Sequence, residues 1–466
     1  MTDGPDETRA ELKRREFLRL AGLGAGALAT GAAIPAPIVA QASATRRAAA
    51  SSRVVVVGAG VWGASTALEL ARKGAQVTLV DQYGPANSRS TSGDETRGIR
   101  SSYGDRAGET GVLWTRWARE AIARWQAFDA EHGPRFGTRF FIRTGDVILR
   151  ERVEPFATRT AELWDELGVR YERLTAAEAT RRWPTINSKP YSVILYEPDA
   201  GVARARASTQ ALVALARDAG VTYRTGRVTP GEIRSGTMQS LRLDDGSTIG
   251  ADAYVFACGP WLRKVFPDLL EDRMRTPLGH VCYFGTPVAD ERFFAPNIPS
   301  WNVPGVTGWG ALPIDSRGFR VRGAFAAPPP PRREGEPEAP PPPRPAPDPT
   351  AQDADRSSRW SSEDRIAGSR RVLERVFPLL AEAPLLETRS CHYESTANRN
   401  FIVDRHPQAS NAWITGAGQA EGFKFAPLLG EYGAKRILGE STDAALDDAF
   451  KFPTQSYTAA PSGDDE

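Results

Sequence analysis

The sequence predicts an α/β fold: a Rossmann-like nucleotide-binding domain joined to a second α+β domain built on a mixed or antiparallel sheet. Three stretches predict it. Arg53-Val54-Val55-Val56-Val57 runs straight into Gly58-Ala59-Gly60-Val61-Trp62-Gly63. Ala253 to Ala257 reads as another strand and ends in a second glycine turn, Cys258-Gly259-Pro260-Trp261. Ala412 to Thr415 does the same before Gly416-Ala417-Gly418. The chain thus leaves its first unit, builds another region and returns, so the first domain is expected to be discontinuous.

The opening unit carries the most chemistry. Val54 to Val57 is an unbroken β-branched run, the pattern of a strand buried on both faces. Gly58 permits the tight turn, Gly60 lets the backbone approach a pyrophosphate, and Gly63 lets a helix pack against the strand. The stretch Ala64 to Arg72 is helical, and the pyrophosphate is expected at its N-terminus, where free amides and the helix dipole favour negative charge. A second strand, Gln76 to Val80, ends at Asp81, where a dinucleotide site needs an acid for the ribose 2′-hydroxyl. That acid would repel the 2′-phosphate of NADP but does not separate NAD from FAD. A glycine-rich turn in a non-nucleotide domain is the plain alternative. The strand, helix, second strand and terminal acid together argue against it.

Length and composition set bounds. The chain has 466 residues, enough for two packed cores, with 41% hydrophobic and 25% charged residues. A net charge of +2 gives no case for nucleic acid or an acidic membrane surface. Three separated cysteines and four histidines suggest neither a disulfide framework nor a metal site.

Residues 1 to 45 read as an export signal and leader rather than fold. Lys13-Arg14-Arg15-Glu16-Phe17-Leu18 precedes a soft run of alanine, glycine and leucine and a small-x-small site, Ala40-Gln41-Ala42. The paired arginines resemble a twin-arginine signal, which implies the twin-arginine export machinery as a partner and a periplasmic or extracellular destination. A plain amphipathic leader and an uncleaved anchor are the alternatives. No stable membrane span is expected in the mature protein.

Further along, residues 106 to 131 read as a helix with Trp114, Trp117, Ile122 and Trp125 spaced for one buried side. Phe140 to Arg143 and Asp146 to Leu149, split by Thr144-Gly145, suggest a hairpin. So does Leu241 to Ile249 around Asp244-Asp245-Gly246. Residues 154 to 166, 209 to 218, 363 to 379 and 427 to 438 read as helices. Short strands are expected at 192 to 197, 281 to 284, 307 to 311, 318 to 322, 390 to 394 and 400 to 404. Proline dense enough to forbid helix or inner strand fills 326 to 358, which predicts an exposed polyproline-like insertion. The expected division is therefore 46–105, 205–270 and 390–440 for the nucleotide domain. The second domain takes 106–204 and 271–389, and 441–466 is a flexible tail.

Five segments now carry a resemblance: the Val54 to Gly63 start, Thr96-Arg97-Gly98-Ile99-Arg100, Tyr196-Glu197-Pro198-Asp199-Ala200-Gly201, Cys391-His392-Tyr393 before Asn400 to Asp404, and Gly422-Phe423-Lys424-Phe425. In order and spacing they resemble the FAD-dependent amine oxidoreductases, most of all the sarcosine oxidase branch, from about Arg53 to Glu440. The resemblance implies FAD bound by Gly58, Gly60, Gly63, Asp81, Thr96, Gly416 and Gly418, and attached through a thioether at Cys391. A buried strand cysteine is the ordinary alternative for Cys391. It implies that Arg100 and Lys424 hold a substrate carboxylate, one by a bidentate guanidinium and the other by a point charge. Tyr393 belongs at the substrate pocket and Arg97 beside the flavin. Surface pairing with Asp94 or Asp105 is the alternative for the arginines.

The implied reaction is oxidation of the C–N bond of a secondary or cyclic amino acid to an imine, with molecular oxygen reduced to hydrogen peroxide. Two departures from the branch stand out. Pro277 to Phe284 offers no lysine or arginine for the expected basic residue near the reacting face, with His280 the only substitute, and no histidine precedes Thr96-Arg97. A dehydrogenase using another electron acceptor is therefore an alternative, as is a noncatalytic FAD-binding scaffold. Trp301 and Trp309 are candidates either for the wall of a larger pocket or for the core.

Overall fold

The computed structural model of the chain describes residues 52–313, 316–328, 350–440 and 442–457. The stretch expected to be a twin-arginine leader, most of the proline run and the end of the tail lie outside those residues. Among the described residues, no helix is long and apolar enough to cross a membrane.

Strand β1 (Arg53–Val57) lies inside a six-stranded sheet. It is flanked by β2 (Gln76–Asp81) and by Ala253–Phe256, both parallel to it. Beyond β2 lies Thr222–Thr225, and beyond Ala253–Phe256 lies Ala409–Gly416, again parallel. An antiparallel strand, Ile402–His406, closes that edge. The valines explain the central place of β1. Val54 and Val56 join a core with Leu212 and Trp413, while Val55 and Val57 join the opposite core with Phe256 and Ile414. Burying each contributes about 1.5–3 kcal/mol. Helix α1 (Val61–Arg72) starts directly at Val61 because Gly60 is its N-cap. It packs with the helices Ala205–Asp218 and Ala426–Ile437 on one face of this sheet.

The second sheet has eight strands and is mixed. Its order is Leu385–His392, Leu278–Phe284, Phe319–Arg322, Val306–Trp309, Ser300–Val303, Asp146–Arg150, Val193–Glu197 and Glu172–Leu174. All neighbours are antiparallel except Ser300–Val303 against Asp146–Arg150. A small third sheet has Gly201–Arg204 at its centre, with β3 (Thr96–Ile99) on one side and Phe141–Ile142 on the other. The expected hairpin at Leu241 to Ile249 forms, with Leu241–Leu243 pairing Thr248–Ile249.

Several expectations need correction. Phe141–Ile142 and Asp146–Arg150 do not form a hairpin but belong to different sheets. Gly145, at φ 70°, turns the chain between them, and a Cβ there would meet the Tyr196 ring at 2.3 Å. Cys391 lies on Leu385–His392, a strand of the second sheet. Trp301 is fully buried against Phe319 and Phe377 and is core. The tail is not loose throughout: Ala444–Ala449 is helical, and Phe450 is buried against Trp117 and Phe401. The last part of the proline-rich insertion is not an exposed loop either, because Ala354 and Ser357 are buried.

Candidate active site

A cavity of about 430 Å³ opens at the carboxyl end of β1. Its wall includes Gly58, Gly60, Asp81, Gly416 and Gly418 from the first sheet and Arg97 and Tyr393 from the junction with the second. The glycines have distinct jobs. A Cβ on Gly58 would lie 2.3 Å from the Ala257 carbonyl oxygen, and one on Gly63 would lie 1.9 Å from that of Gly58. Those two positions let the loop close on its neighbours. Gly60 meets only the Ser92 hydroxyl, at 3.5 Å, which leaves space above the start of α1. Gly60 brings no capping side chain and no acid sits in the first turn; Ser92 Oγ accepts from the Val61 amide at 3.1 Å, and the remaining amides of that end favour an anion.

Asp81 is partly engaged. One carboxylate oxygen accepts from the Ala59 amide at 2.7 Å, the other from the Tyr83 and Gly84 amides at 2.9 and 2.8 Å. Burial nevertheless raises its pKa against those bonds. It ties the glycine loop to the turn after β2 while facing the cavity.

At the junction, Arg97 donates through Nη2 to the Thr91 carbonyl at 2.6 Å and toward Cys391 Sγ at 3.6 Å. Its Nη1 donates to Asp94 Oδ2 at 2.6 Å. The pairing with Asp94 is thus real, but it is internal, since Asp94 is wholly buried. Asp94 also accepts from the Tyr283 hydroxyl at 2.8 Å and is paired with Arg320 and Arg389, each at 3.4 Å. Burial alone would raise the Asp94 pKa; the guanidiniums of Arg97, Arg320 and Arg389 outweigh it and hold the carboxyl well below the usual range. Thr96 sits one layer back, where its hydroxyl accepts from Trp309 Nε1 at 2.8 Å.

Basic residues missing from the strand Leu278–Phe284 are supplied by its neighbour. Arg320 and Arg322 lie on Phe319–Arg322. The Arg320 guanidinium stacks over Trp309 at 4.1 Å, and its Nε and Nη1 have no hydrogen-bond partner among the described residues. Arg322 lies 5.9 Å from the Tyr393 ring. His280 instead bonds Ser390 Oγ at 2.8 Å. His392 turns away from Cys391 and bonds Ser357 Oγ at 2.6 Å, as alternation along a strand requires. Glu394 is a cavity residue the sequence reading missed; it accepts from the Gly418 amide at 3.2 Å. Its only signal was its place directly after Tyr393.

Arg100 and Lys424 meet in an adjacent polar cluster. Lys424 Nζ donates to the Tyr103 hydroxyl at 2.8 Å and to the Arg100 carbonyl at 3.3 Å. Arg100 Nη1 is 3.9 Å from Asp146 Oδ1, which also accepts from Ser300. Asp146 stands opposite Glu197 across two strands, and both are buried. Glu197 accepts from Ser101 Oγ and N at 2.5 and 3.0 Å. Burial raises the Glu197 pKa to about 7, with Asp146 adding to it. Burial also lowers that of Lys424 to about 8, with Arg100 adding to it and Glu421 opposing. No spacing in the sequence joins Asp146 to Glu197; only strand pairing does.

The parallel sheet, its glycine loop and the helix that loop opens, and a shared cavity against a mixed sheet define a two-domain dinucleotide-dependent oxidoreductase. Residues 53–436 match the family model described as FAD dependent oxidoreductase, and the chain belongs to that family. It is 24% identical to an N-methyl-L-tryptophan oxidase of Salmonella enteritidis PT4, over 84% of this chain and 96% of that one. It is 26% identical to a peroxisomal sarcosine oxidase of Homo sapiens, over 86% of this chain and 96% of that one. A fructosyl peptide oxidase from E. terrenum shares the fold with a TM-score of 0.72 at 20% identity, covering 88% of this chain and 93% of that one. The open Gly60 position and the start of α1 fit the pyrophosphate of FAD.

Proposed function

We propose that the protein oxidises the C–N bond of a secondary or cyclic amino acid, such as an N-methyl or imino acid, to an imine, with oxygen reduced to hydrogen peroxide. The observation that carries this reading is the convergence of Arg97 and Tyr393 at the cavity, with Cys391 Sγ 3.6 Å behind Arg97 Nη2 and Arg100 and Lys424 clustered nearby. The curated relatives, oxidases of N-methyl-L-tryptophan and sarcosine by name, support the same chemistry. FAD held by the glycine loop and α1 would supply the two-electron acceptor that oxygen then reoxidises.

The chain's own groups divide the remaining work. Arg100 and Lys424 hold the substrate carboxylate, and Tyr393 orients the substrate. Arg97 is a fixed positive charge beside Cys391, where it stabilises negative charge developing on the acceptor. Arg320 and Arg322 add to that field, which favours the oxidase over the dehydrogenase reading. Cys391 is the point of thioether attachment. The leader supports export of the folded protein through the twin-arginine machinery to the periplasm or beyond.

The test is an absorption spectrum of the purified protein before and after acid precipitation, with peroxide followed on adding sarcosine, proline, pipecolate and N-methyltryptophan. Yellow colour in the pellet, lost to the supernatant in Cys391→Ser, is expected together with peroxide. Colour released from the wild type removes the Cys391 link. Flavin reduction without peroxide replaces the oxidase by a dehydrogenase. Protein that takes up no FAD overturns the whole reading.

A further inference from the structure

Residues 350–359 follow the proline-rich insertion and bring Asp355 to the cavity wall, fastened through Gln352, Asp353, Asp355, Ser357 and Arg359. The Gln352 side-chain oxygen accepts from Arg263 at 3.0 Å and from the Thr276 amide at 3.1 Å. Asp353 Oδ1 accepts from Lys264 Nζ at 3.0 Å. Ser357 meets His392, next in sequence to Cys391, and Arg359 Nη1 donates to the Ser390 carbonyl at 3.3 Å. The segment is therefore a strap from the first sheet's end to the strand carrying Cys391.

Asp355 is its centre. One carboxylate oxygen accepts from the Tyr83 hydroxyl at 2.8 Å and from Trp261 Nε1 at 2.7 Å, and the other from Lys264 Nζ at 2.5 Å. Its carbonyl accepts from Arg89 at 2.9 Å. Asp355, Tyr83, Trp261 and Lys264 all line the cavity, and the Tyr83 and Trp261 rings lie 5.8 Å apart. This wall stands at the Asp81 end, because the Tyr83 amide bonds the Asp81 carboxylate. Three side chains from two separate turns are thus oriented by one carboxylate delivered from a remote part of the sequence. A charged acceptor that satisfies two neutral donors and an ammonium at once fixes all three geometries.

We propose that Asp355 is a positioning residue of the cofactor site: it fastens the Tyr83–Trp261–Lys264 wall over the nucleotide end of bound FAD, so that the cofactor leaves only when the strap lifts. The inference rests on the FAD reading above. It assigns the returning arm of the proline-rich insertion to the cofactor site.

The test uses Cys391→Ser protein, in which FAD is exchangeable whether or not the wild type attaches it. FAD release after dilution is followed by flavin fluorescence in Cys391→Ser, Cys391→Ser/Asp355→Asn and Cys391→Ser/Asp355→Ala. Release at least tenfold faster in the alanine variant is expected. The asparagine variant, which keeps an acceptor for Tyr83 or Trp261 but loses the charge facing Lys264, should fall between. Equal release rates overturn the proposal. So does an equal loss of Tm with and without FAD, the mark of a merely structural tether. Amide exchange across 350–359 in Cys391→Ser, with and without FAD, covers the case in which the alanine variant does not fold. FAD should slow that exchange at least tenfold, and no slowing overturns the proposal. Cys391→Ser protein that binds no FAD, alongside a colourless wild type, overturns the cofactor reading itself and this inference with it.

Discussion

Gly279 stands directly opposite Cys391 across two antiparallel strands. A Cβ at Gly279 would lie 3.6 Å from both the Tyr393 ring and the Arg322 guanidinium, an ordinary contact distance. The position therefore has room for a methyl group and no more. Gly279→Ala should retain flavin attachment and activity within about twofold, whereas Gly279→Leu should displace Tyr393 and lower kcat/KM by at least tenfold, roughly 1.4 kcal/mol of transition-state stabilisation. Steady-state kinetics and the acid-stable flavin fraction of the two variants check this. Equal behaviour of the leucine and alanine proteins would refute the packing argument.

The proposed role of Lys424 in holding a carboxylate carries a pH limit. Its pKa is lowered to about 8 by burial, with Arg100 adding. A lysine depressed in the fold is charged below that value and neutral above it. The inhibition constant of a simple carboxylate without an amine, such as propionate, should be flat below about pH 7 and rise up to about tenfold per pH unit above 8. Lys424→Met should bind propionate weakly and lose that rise. A wild-type constant that stays flat to pH 10 contradicts the assignment. Linkage adds a second sign: since the unfolded lysine keeps its proton to higher pH, stability from this group rises between about pH 8 and 10.

Among the described residues, Asp94 is the carboxylate that pairs with the three guanidiniums of Arg97, Arg320 and Arg389. Asp94→Asn would leave Arg97, Arg320 and Arg389 facing one another without it, which should cost on the order of 3–5 kcal/mol. Chemical denaturation measures the loss. Because its folded pKa is depressed, the stability Asp94 contributes is complete above about pH 4 and falls away only as the pH drops from there toward the folded value. A variant as stable as the wild type at pH 7 rules out the ring as a stabilising unit.

Much of the architecture was legible because local chemistry dictated it. A run of valines ending in glycines admits few structures, and Arg53–Val57 and α1 formed where the pattern placed them. The strands Ala253–Phe256 and Ala409–Gly416 returned to the same sheet, as their glycine turns implied. What the sequence concealed depends on pairing between distant strands. Arg320 and Arg322 were overlooked because a basic group was sought on Leu278–Phe284, while these two lie on the strand paired with it. Asp146 and Glu197 meet only through register. Asp355 lies at the end of a proline-rich stretch whose composition pointed to solvent, yet its hydrogen bonds draw it onto the cavity. Phe450 was assigned to a loose tail because its neighbours are polar, although the ring completes an aromatic cluster.

The parallel sheet has a consequence for biogenesis. Ala253–Phe256 sits between Arg53–Val57 and Ala409–Gly416, so the sheet that carries the glycine loop acquires its last interior partner only when residue 416 is in place. Gly416 and Gly418 are also part of the cavity wall. Pairing across such sequence distances is paid for in loop-closure entropy and comes late in folding. A ribosome-bound chain that stops short of that strand has the fingerprint but no finished chamber. Loading with cofactor is therefore an event of the whole polypeptide, after synthesis of nearly its full length, and a truncation before residue 416 should yield protein without bound flavin however intact its first hundred residues are.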